Sequence, residues 1–464
     1  MNKLYFKSGK RLAKKILLRN NNFLSMSISH FNIMKSHSYY LTRYKKTEYN
    51  LFKFIVKTLQ YVRNHFKFDK KAILKNEIVF VSNLTNPKKI DRKDNYFNHI
   101  IEELNVSKLK YDIIYRNISK IDIKNKKNIC FTSLRRNFFF DFYYSILITF
   151  EIFKIFFKNF LTSKKTERVF LLDSISLKNI LSSISNIIET NKIIDLVKES
   201  NSKKIFLTLE GYAWEKLLCY KLRKLDEKIK IYGYYFSIIS KYQFFPFEKI
   251  NRTFSPDFIL TPGEIAKKKF ISKNHNKDKI INIGTYKNYK YKFHNKLNLK
   301  CLILAESSID ELEFLIQFSD DICKKYSSVN FILRPHPDAF QKFDKNYLKY
   351  ILKNKNITLS KNTLLNDIKN CSTILYRSSG SAVQAAMMGS YPIYLKKKNE
   401  LSIDPLYEIN KLKLSVYSDL DFIRIFSKLK NTNYYKNKTD SISKYCKKYF
   451  NKPIRMNIKN IIND

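Results

Sequence analysis

The sequence predicts an α/β protein built from two Rossmann-like domains that face each other across a cleft, with a helical N-terminal extension. Two observations predict this fold. Short apolar runs alternate with helix-like segments over residues 169–395, which is typical of parallel sheets covered by helices on both faces. Six of the 7 glycines and eight of the 9 prolines follow residue 200, so we expect long helices before that point and frequent turns after it.

The chain is too long for a single hydrophobic core. It has 464 residues, and single cores seldom grow beyond about 250–300 residues. A polar bridge at 287–300 is the predicted hinge. The predicted parts are a helical extension (1–75), an N-terminal domain (76–295), a C-terminal domain (296–440) and a basic C-terminal helix (441–464).

The N-terminal domain is predicted from apolar runs separated by helical segments. The first run, EIVFVSN (77–83), is short and closed by a polar residue, as expected of a buried strand. The further strands expected in this domain are VFLLDS (169–174), KKIFLTLE (203–210), KIKIYGYYF (228–236), DFILTPG (257–263) and KIINIGTY (279–286).

One apolar segment, FFFDFYYSILITFEIFKIFFKNFL (138–161), has the length of a membrane span. Asp141, Glu151, Lys154 and Lys158 interrupt it, and charges inside a span are costly. An amphipathic helix fits better, with its aromatic face either buried in protein or resting at a bilayer interface. These two alternatives stay open, and a true span is disfavoured.

The C-terminal domain repeats the strand–helix alternation after the polar bridge. The expected strands are CLILAE (301–306), VNFILRPHP (329–337), STILYRSSG (372–380) and YPIYL (391–395). Because open parallel sheets bind ligands beyond the carboxyl ends of their strands, the residues that follow these runs are the candidates for chemistry.

Charge indicates anionic partners. The chain carries 88 Lys and Arg against 40 Asp and Glu, a formal net charge of +48, which attracts nucleic acid, anionic lipid or sugar nucleotides. Lys, Asn, Ile, Tyr and Phe are abundant together, and all have A/T-rich codons, so genome composition explains part of the excess. No RNP, helix-turn-helix or zinc signature is recognised, so a nucleic-acid partner is not expected.

Several other classes of site are not expected. The six cysteines form no CxxC pair, so neither a disulfide framework nor structural zinc is predicted and a reducing cytosol fits. The basic N-terminus lacks a continuous apolar core, so no signal peptide is predicted. No GxGxxG or GxxxxGK[ST] loop occurs, no Asp-x-Asp-type metal motif is recognised in a plausible loop, and no cofactor is predicted.

The first chemical motif follows the strand VNFIL. Arg334 offers a planar donor fork suited to phosphate, and His336 can bind phosphate or exchange a proton. Pro335 and Pro337 stiffen the loop that carries them. A solvated loop with an incidental histidine is the alternative.

The second motif lies at the start of a predicted helix. The backbone N–H groups and the dipole of a helix N-terminus favour an anion, and a glycine lets it approach closely. A simple serine N-cap is the alternative. The residues assigned to this anion site are Arg377, Ser378, Ser379, Gly380 and Ser381, with Gln384 one turn further on.

The third motif, Glu210-Gly211-Tyr212-Ala213-Trp214-Glu215, follows a predicted strand of the first domain. Glu210 could take a proton from a hydroxyl, or it could stabilise the helix N-terminus. Trp214 is expected in the core, and Glu215 on the surface or in a salt bridge.

These motifs together resemble those of a known enzyme class. FILRPHP followed about forty residues later by SSGSAVQAAMMGSYPIYL resembles the C-terminal half of GT-B glycosyltransferases of bacterial surface polysaccharide synthesis, including Kdo- and sialyltransferase-type capsule enzymes. EGYAWEKLL resembles the E-N-Q-x-W-E-K stretch of a surface-carbohydrate transferase group, and SHFNIMKSHSYYLTRY is similar to an early segment of that group. The resemblance covers mainly residues 200–400.

The resemblance implies a function and roles for individual residues. It implies that His336 and the serine motif hold the phosphate of a nucleotide-sugar donor, often a CMP-activated acidic sugar, and that Glu210 is the base for the acceptor hydroxyl. Two positions depart from the pattern: Gln384 stands where relatives often have Glu, and Glu-Gly-Tyr replaces Glu-Asn-Gln.

The leading hypothesis is therefore a metal-independent glycosyltransferase at the cytoplasmic face of the cell membrane. It would transfer a sugar to a lipid-linked or glycan acceptor for a surface polysaccharide such as capsule or lipopolysaccharide, with peripheral contact to anionic lipid. The alternatives are a wall-polymer transferase that moves a polyol phosphate from a CMP-activated donor, and a basic nucleic-acid-binding protein.

Overall fold

The N-terminal domain contains a seven-stranded sheet in which every strand is parallel to its neighbours. A computed structural model describes residues 6–12, 14, 22–28, 74–84, 94–116, 128–132, 138–164, 167–168, 171, 177–288, 300–341, 343–398 and 400–464. The strand order is β3-β2-β1-β4-β5-β6-β7. The strands are β1 (Ile78–Asn83), β2 (Tyr111–Arg116), β3 (Ile129–Phe131), β4 (Lys204–Thr208), β5 (Lys230–Tyr234), β6 (Phe258–Thr261) and β7 (Ile280–Asn282).

Helices connect these strands. Residues 6–12 form a further helical segment near the N-terminus. The helices of this part of the chain are α1 (Phe23–Ser27), α2 (Asn98–Val106), α3 (Phe138–Phe160), α4 (Leu177–Lys198), α5 (Ala213–Leu225) and α6 (Glu264–Ile271).

The C-terminal domain contains a six-stranded parallel sheet with the order β10-β9-β8-β11-β12-β13. Its strands are β8 (Lys300–Leu304), β9 (Asn330–Arg334), β10 (Ile357–Leu359), β11 (Thr373–Tyr376), β12 (Tyr391–Leu395) and β13 (Leu414–Val416). Its helices are α7 (Ile309–Lys325), α8 (Pro337–Phe340), α9 (Lys345–Ile351), α10 (Leu364–Lys369), α11 (Gly380–Met388), α12 (Asp419–Leu429) and α13 (Thr432–Cys446).

Both sheets confirm the predicted α/β class of two Rossmann-like domains. The strand order reverses between β1 and β4 in the first sheet and between β8 and β11 in the second, and such switch points are where open α/β sheets bind ligands. The inner strands β1 and β11 are buried along their whole length, as expected when helices cover both faces.

The two domains share a hydrophobic core. Tyr235 and Ile239, which follow β5, belong to the same buried cluster as Tyr376 of β11 and Leu406 of the second domain. The domains are therefore packed together beyond the ends of their sheets.

The C-terminal segment returns to the first domain. Within residues 441–464, where one helix was expected, α13 ends at Cys446 and a separate helix, α14 (Arg455–Asn463), follows. The N–H of Asn451 donates to the carbonyl oxygen of Pro262 at 2.8 Å, and Ile458, Ile461 and Ile462 are buried against the first sheet. Lys230 pairs with Asp464 at 3.0 Å.

Some expectations differ from the structure. Strands β2, β3, β10 and β13 were not predicted. Of the strand expected at 169–174, only Leu171 is described, and it is helical. The predicted hinge lies largely outside the described residues, since 289–299 are not among them, and most of the 1–75 extension also lies outside them.

Candidate functional site

A buried carboxylate shapes the turn after β4. Glu215 is 1% exposed and accepts backbone N–H donors from Glu210, Gly211 and Tyr212 at 3.0, 2.7 and 2.9 Å. The surface position that was one expectation for Glu215 is therefore wrong, and its carboxylate satisfies the free N–H groups at the start of α5.

Gly211 is required by the same turn. Its φ is +83°, a region that side chains other than glycine rarely adopt, and a Cβ there would lie 3.1 Å from Cα of Pro246. Trp214 is 2% exposed, which confirms its predicted core position. The guanidinium of Arg116, at the end of β2, lies 3.8 Å from the Trp214 ring centroid.

Because Glu215 accepts the N–H groups at the start of α5, Glu210 is available for a role other than capping. The Oγ of Ser237, in the segment after β5, donates to Glu210 Oε1 at 2.6 Å. The two residues follow the neighbouring strands β4 and β5, so this hydrogen bond lies at the carboxyl edge of the first sheet. It holds the half-buried carboxylate in one orientation.

A lysine lies close to this carboxylate. Burial lowers the pKa of Lys287, and the charge of Glu210 partly opposes that shift. The Nζ of Lys287 is 5.8 Å from the ring centroids of both Phe236 and Phe450. Lys287 therefore lies within electrostatic range of the candidate base Glu210.

In the C-terminal domain, the structure buries Arg377. It is 1% exposed, its Nη1 donates to the carbonyl oxygen of Leu395 at 2.7 Å, and it forms ion pairs with Glu311 and Glu400. These contacts connect the end of β11 to β12 and α7. The guanidinium therefore supports, from inside the domain, the serine turn (Ser378 to Ser381) that follows β11.

The serine turn itself lies at the N-terminus of α11. Ser378 donates to Glu306, the second residue after β8. Ser379 is the N-cap residue, but its side chain makes no capping hydrogen bond. Ser381 and Gln384 are half-buried. The alternative of a simple serine N-cap is therefore not supported, because the N-cap serine lacks the capping hydrogen bond.

The Arg334 and His336 loop lies on the same sheet edge. Strand order places β9 next to β8, and β8 next to β11, so one strand separates this loop from the serine turn. Arg334 Nη1 donates to Asp367 Oδ2 and to the carbonyl oxygen of Asn362, both at 2.7 Å. His336 is exposed at the start of α8.

One loop joins the two halves of the site. Ser237, which binds Glu210, is followed by Ile238, and a Cβ on Gly380 would lie 3.6 Å from Cγ2 of Ile238. The candidate base of the first domain and the helix N-terminus of the second are therefore connected through two consecutive residues. His336 shares the sheet edge, whereas Arg377 lies behind it.

Sequence reasoning missed several residues of this region. Glu306 follows the apolar run CLILA, and Ser237 follows KIKIYGYYF; polar residues at strand ends were the available signal. The sequence around Lys287 gives no sign of a functional site, because this residue comes near Glu210 only when the chain folds.

An Asp-x-Asp pattern, Asp419-Leu420-Asp421, was also missed. The structure uses both carboxylates at the start of α12: Asp421 forms a capping box with Ser418, and Asp419 pairs with Lys325 at 2.7 Å. Within the described parts of the chain, no group of three or more His, Cys, Asp or Glu residues is arranged to hold a metal ion.

A surface cavity of about 370 Å³ is lined by Phe318, Lys325, Tyr417 and Asp419, and the residues of the candidate site are not part of its lining. At the candidate site, by contrast, the two domains are in close approach.

Comparisons with known proteins found similar solved structures at low sequence identity. The sequence matches no protein-family model and no curated protein. Similar solved structures include S. aureus MnaA with UDP (14% identity, covering 84% of this chain and 95% of that chain, TM-score 0.48). UDP-GlcNAc 2-epimerase from Neisseria meningitidis bound to UDP-GlcNAc is also similar (14%, 84% and 99%, TM-score 0.47), as is the glycotransferase of kitacinnamycin (8%, 84% and 99%, TM-score 0.47). Identities of 8–14% assign no activity to this chain.

Proposed function

We propose that the protein is a GT-B-type glycosyltransferase that moves a sugar from a nucleotide-activated donor to a hydroxyl of a lipid-linked or glycan acceptor. The observation that carries this proposal is the connection from Glu210 through Ser237 and Ile238 to Gly380. It brings a candidate base from one sheet edge to an anion-favouring helix N-terminus on the other.

The donor phosphate binds at the N-terminus of α11. The first-turn N–H groups and the helix dipole face the charge that develops on the leaving phosphate. Ser379 and Ser381 add hydroxyl donors, and His336 adds a donor from the neighbouring loop. Arg334 and Arg377 act as braces, because their guanidinium groups are bonded to Asp367 and Glu311.

Glu210 accepts the proton of the acceptor hydroxyl as its oxygen attacks the anomeric carbon. The bond from that carbon to the phosphate oxygen breaks, and the electron pair leaves with the nucleotide. The hydrogen bond from Ser237 fixes the orientation of this carboxylate. Charge on the leaving group is met by protein donors, so the proposed transfer is metal-independent, and domain closure excludes water.

The biological setting is part of the proposal. The product is a cell-surface polysaccharide or glycolipid, the donor is a CMP-linked sugar, and the enzyme works at the cytoplasmic face of the cell membrane. No helix in the described segments is long and apolar enough to cross a membrane. A nucleic-acid partner forms no part of the proposal.

The test begins with the donor. A thermal-shift screen with CMP, UDP and GDP identifies the nucleotide, because a ligand that binds the folded state raises the midpoint. Transfer from the matching labelled nucleotide sugar is then measured for Glu210→Gln. We expect kcat to fall about 10²–10⁴-fold with the thermal midpoint unchanged, since the structural carboxylate of this turn is Glu215.

Two further variants separate the sites. Ser379→Ala should weaken nucleotide binding without loss of stability, because this side chain makes no capping hydrogen bond. Glu227→Gln, on the exposed surface after α5, is the matched control and should retain full transfer. Full activity of Glu210→Gln would refute the assignment of the base, and a phosphodiester product by mass analysis would replace glycosyl transfer with polyol-phosphate transfer.

A further inference from the structure

The helix α3 has two different faces. On one face Ile148, Ile152 and Ile155 are buried and pack against the helical part of the first domain. Glu151 also lies on the buried side, where its Oε1 accepts a hydrogen bond from the Oγ of Ser25 at 2.6 Å. These contacts fix the rotation of α3 about its own axis, so the residues of its opposite face are held outward.

The outward face is a continuous apolar stripe. At 100° per residue its members fall within an arc of about 80°, and they extend over about 27 Å of helix. Their side chains are 39% to 84% exposed. We name as the α3 stripe the residues Tyr143, Ile146, Phe150, Phe153, Phe157 and Leu161. An exposed apolar surface of this extent marks an interaction site.

Basic residues border the α3 stripe. Lys154 is 68% exposed even though its Nζ lies 3.8 Å from Glu151 Oε2. Lys158 is exposed one turn further on, and Lys164 follows shortly after the helix ends. An apolar stripe bordered by lysines is the arrangement of helices that lie in the interface of an anionic bilayer.

The overall charge decides between a bilayer and a second copy of the chain. A self-association through the α3 stripe would bring together two molecules that each carry a net charge of +48, and this repulsion opposes dimerisation. An anionic lipid surface turns the same charge into attraction for the lysines that lie near the surface.

We propose that the α3 stripe docks the protein on an anionic bilayer, with its aromatic rings at the boundary between headgroups and acyl chains. Lys154 and Lys158 then contact the anionic headgroups. This binding is independent of the proposed transferase reaction, so it is tested by binding alone, and loss of either property leaves the other measurable.

The experiment uses the full chain and flotation with vesicles of phosphatidylglycerol and phosphatidylcholine, compared with pure phosphatidylcholine. We expect the protein to float with the anionic vesicles only. The double variant Phe150→Ser/Phe157→Ser should lower the partition coefficient at least about tenfold, since two aromatic side chains no longer leave water. Met456→Ser, an exposed apolar residue of α14, is the matched control and should float like the unmodified protein.

A second measurement reports contact directly. Phe157→Trp should show a blue-shifted emission with the anionic vesicles, against the constant signal of the buried Trp214. Absence of flotation, or undiminished flotation of the double variant, overturns the proposal. A dimer in sedimentation experiments that the double variant dissociates, without vesicle binding, assigns the stripe to a second copy and also overturns it.

Discussion

Two glutamates on one turn have separate tasks. The carboxylate of Glu215 accepts hydrogen bonds from backbone N–H groups at the start of α5, whereas the carboxylate of Glu210 accepts one from the side chain of Ser237. The sequence left open whether Glu210 is a helix-stabilising carboxylate or a base. Distinguishing the two required the geometry of the turn, because both residues follow the same strand and either one could reach the helix N-terminus.

At the residue scale, His99 should make stability depend on pH. Its ring is 4% exposed, its Nε2 has no hydrogen-bond partner among the described residues, and burial, aided by the charge of Lys287, lowers its pKa to about 4. As the pH falls, the unfolded chain therefore takes up the His99 proton at a higher pH than the folded protein does. The stability that neutral His99 contributes is complete above the unfolded pKa of about 6.5 and is lost as the pH falls towards about 4.

Between pH 7 and pH 5 this loss amounts to about 2 kcal/mol. Urea unfolding at the two pH values measures it, with His99→Phe for comparison, because phenylalanine retains the ring packing against Tyr234 and has no titrating group. The variant should lose about 2 kcal/mol less than the unmodified protein over this interval. Equal losses in both proteins would show that His99 is not the titrating group.

At the element scale, long buried strands could be predicted better than most of the strands at the edges of the sheets. Long apolar runs such as IVFVSN and YPIYL are buried on both faces and were recognised. β3, β10 and β13 have three residues each, and so short a run carries no periodicity. Length is not the whole reason, because the three-residue edge strand β7 was predicted and the six-residue inner strand β2 was not. The serine turn was located correctly, but burial of Arg377 was not foreseeable, because its partners Glu311 and Glu400 are distant in sequence.

The turn after β4 should tolerate substitution less than the turn before α11. Gly211→Ala places a Cβ at positive φ and 3.1 Å from Pro246, so we expect a loss of about 1–3 kcal/mol in the free energy of unfolding. Gly380→Ala is the control: its Cβ would meet Ile238 at an ordinary 3.6 Å. Denaturant unfolding of both variants checks this, and equal stability of the two would contradict the strained turn.

At the scale of the whole molecule, the C-terminal segment connects the two domains, each of which is built on its own sheet. α13 packs in the second domain, and α14 covers the first sheet. The crossing is tight: Gly284 has a φ of +73°, and a Cβ there would lie 2.0 Å from the carbonyl oxygen of Lys452. The two-domain plan could be predicted from the sequence, but this return could not, because a short basic helix has the same pattern wherever it packs.

The shared core and the returning segment predict that the two domains unfold together. Buried residues after β5 pack with those of the second domain, and Ile461 of α14 lies in the core of the first. Differential scanning calorimetry should therefore give one transition whose calorimetric and van't Hoff enthalpies agree. Ile461→Ala should shift that whole transition downward by about 2–5 kcal/mol of stability, whereas Met456→Ala, exposed on the same helix, should leave it in place. If Ile461→Ala instead splits the trace into two transitions, with only one displaced, the domains are energetically independent and the interdomain core contributes little to cooperativity.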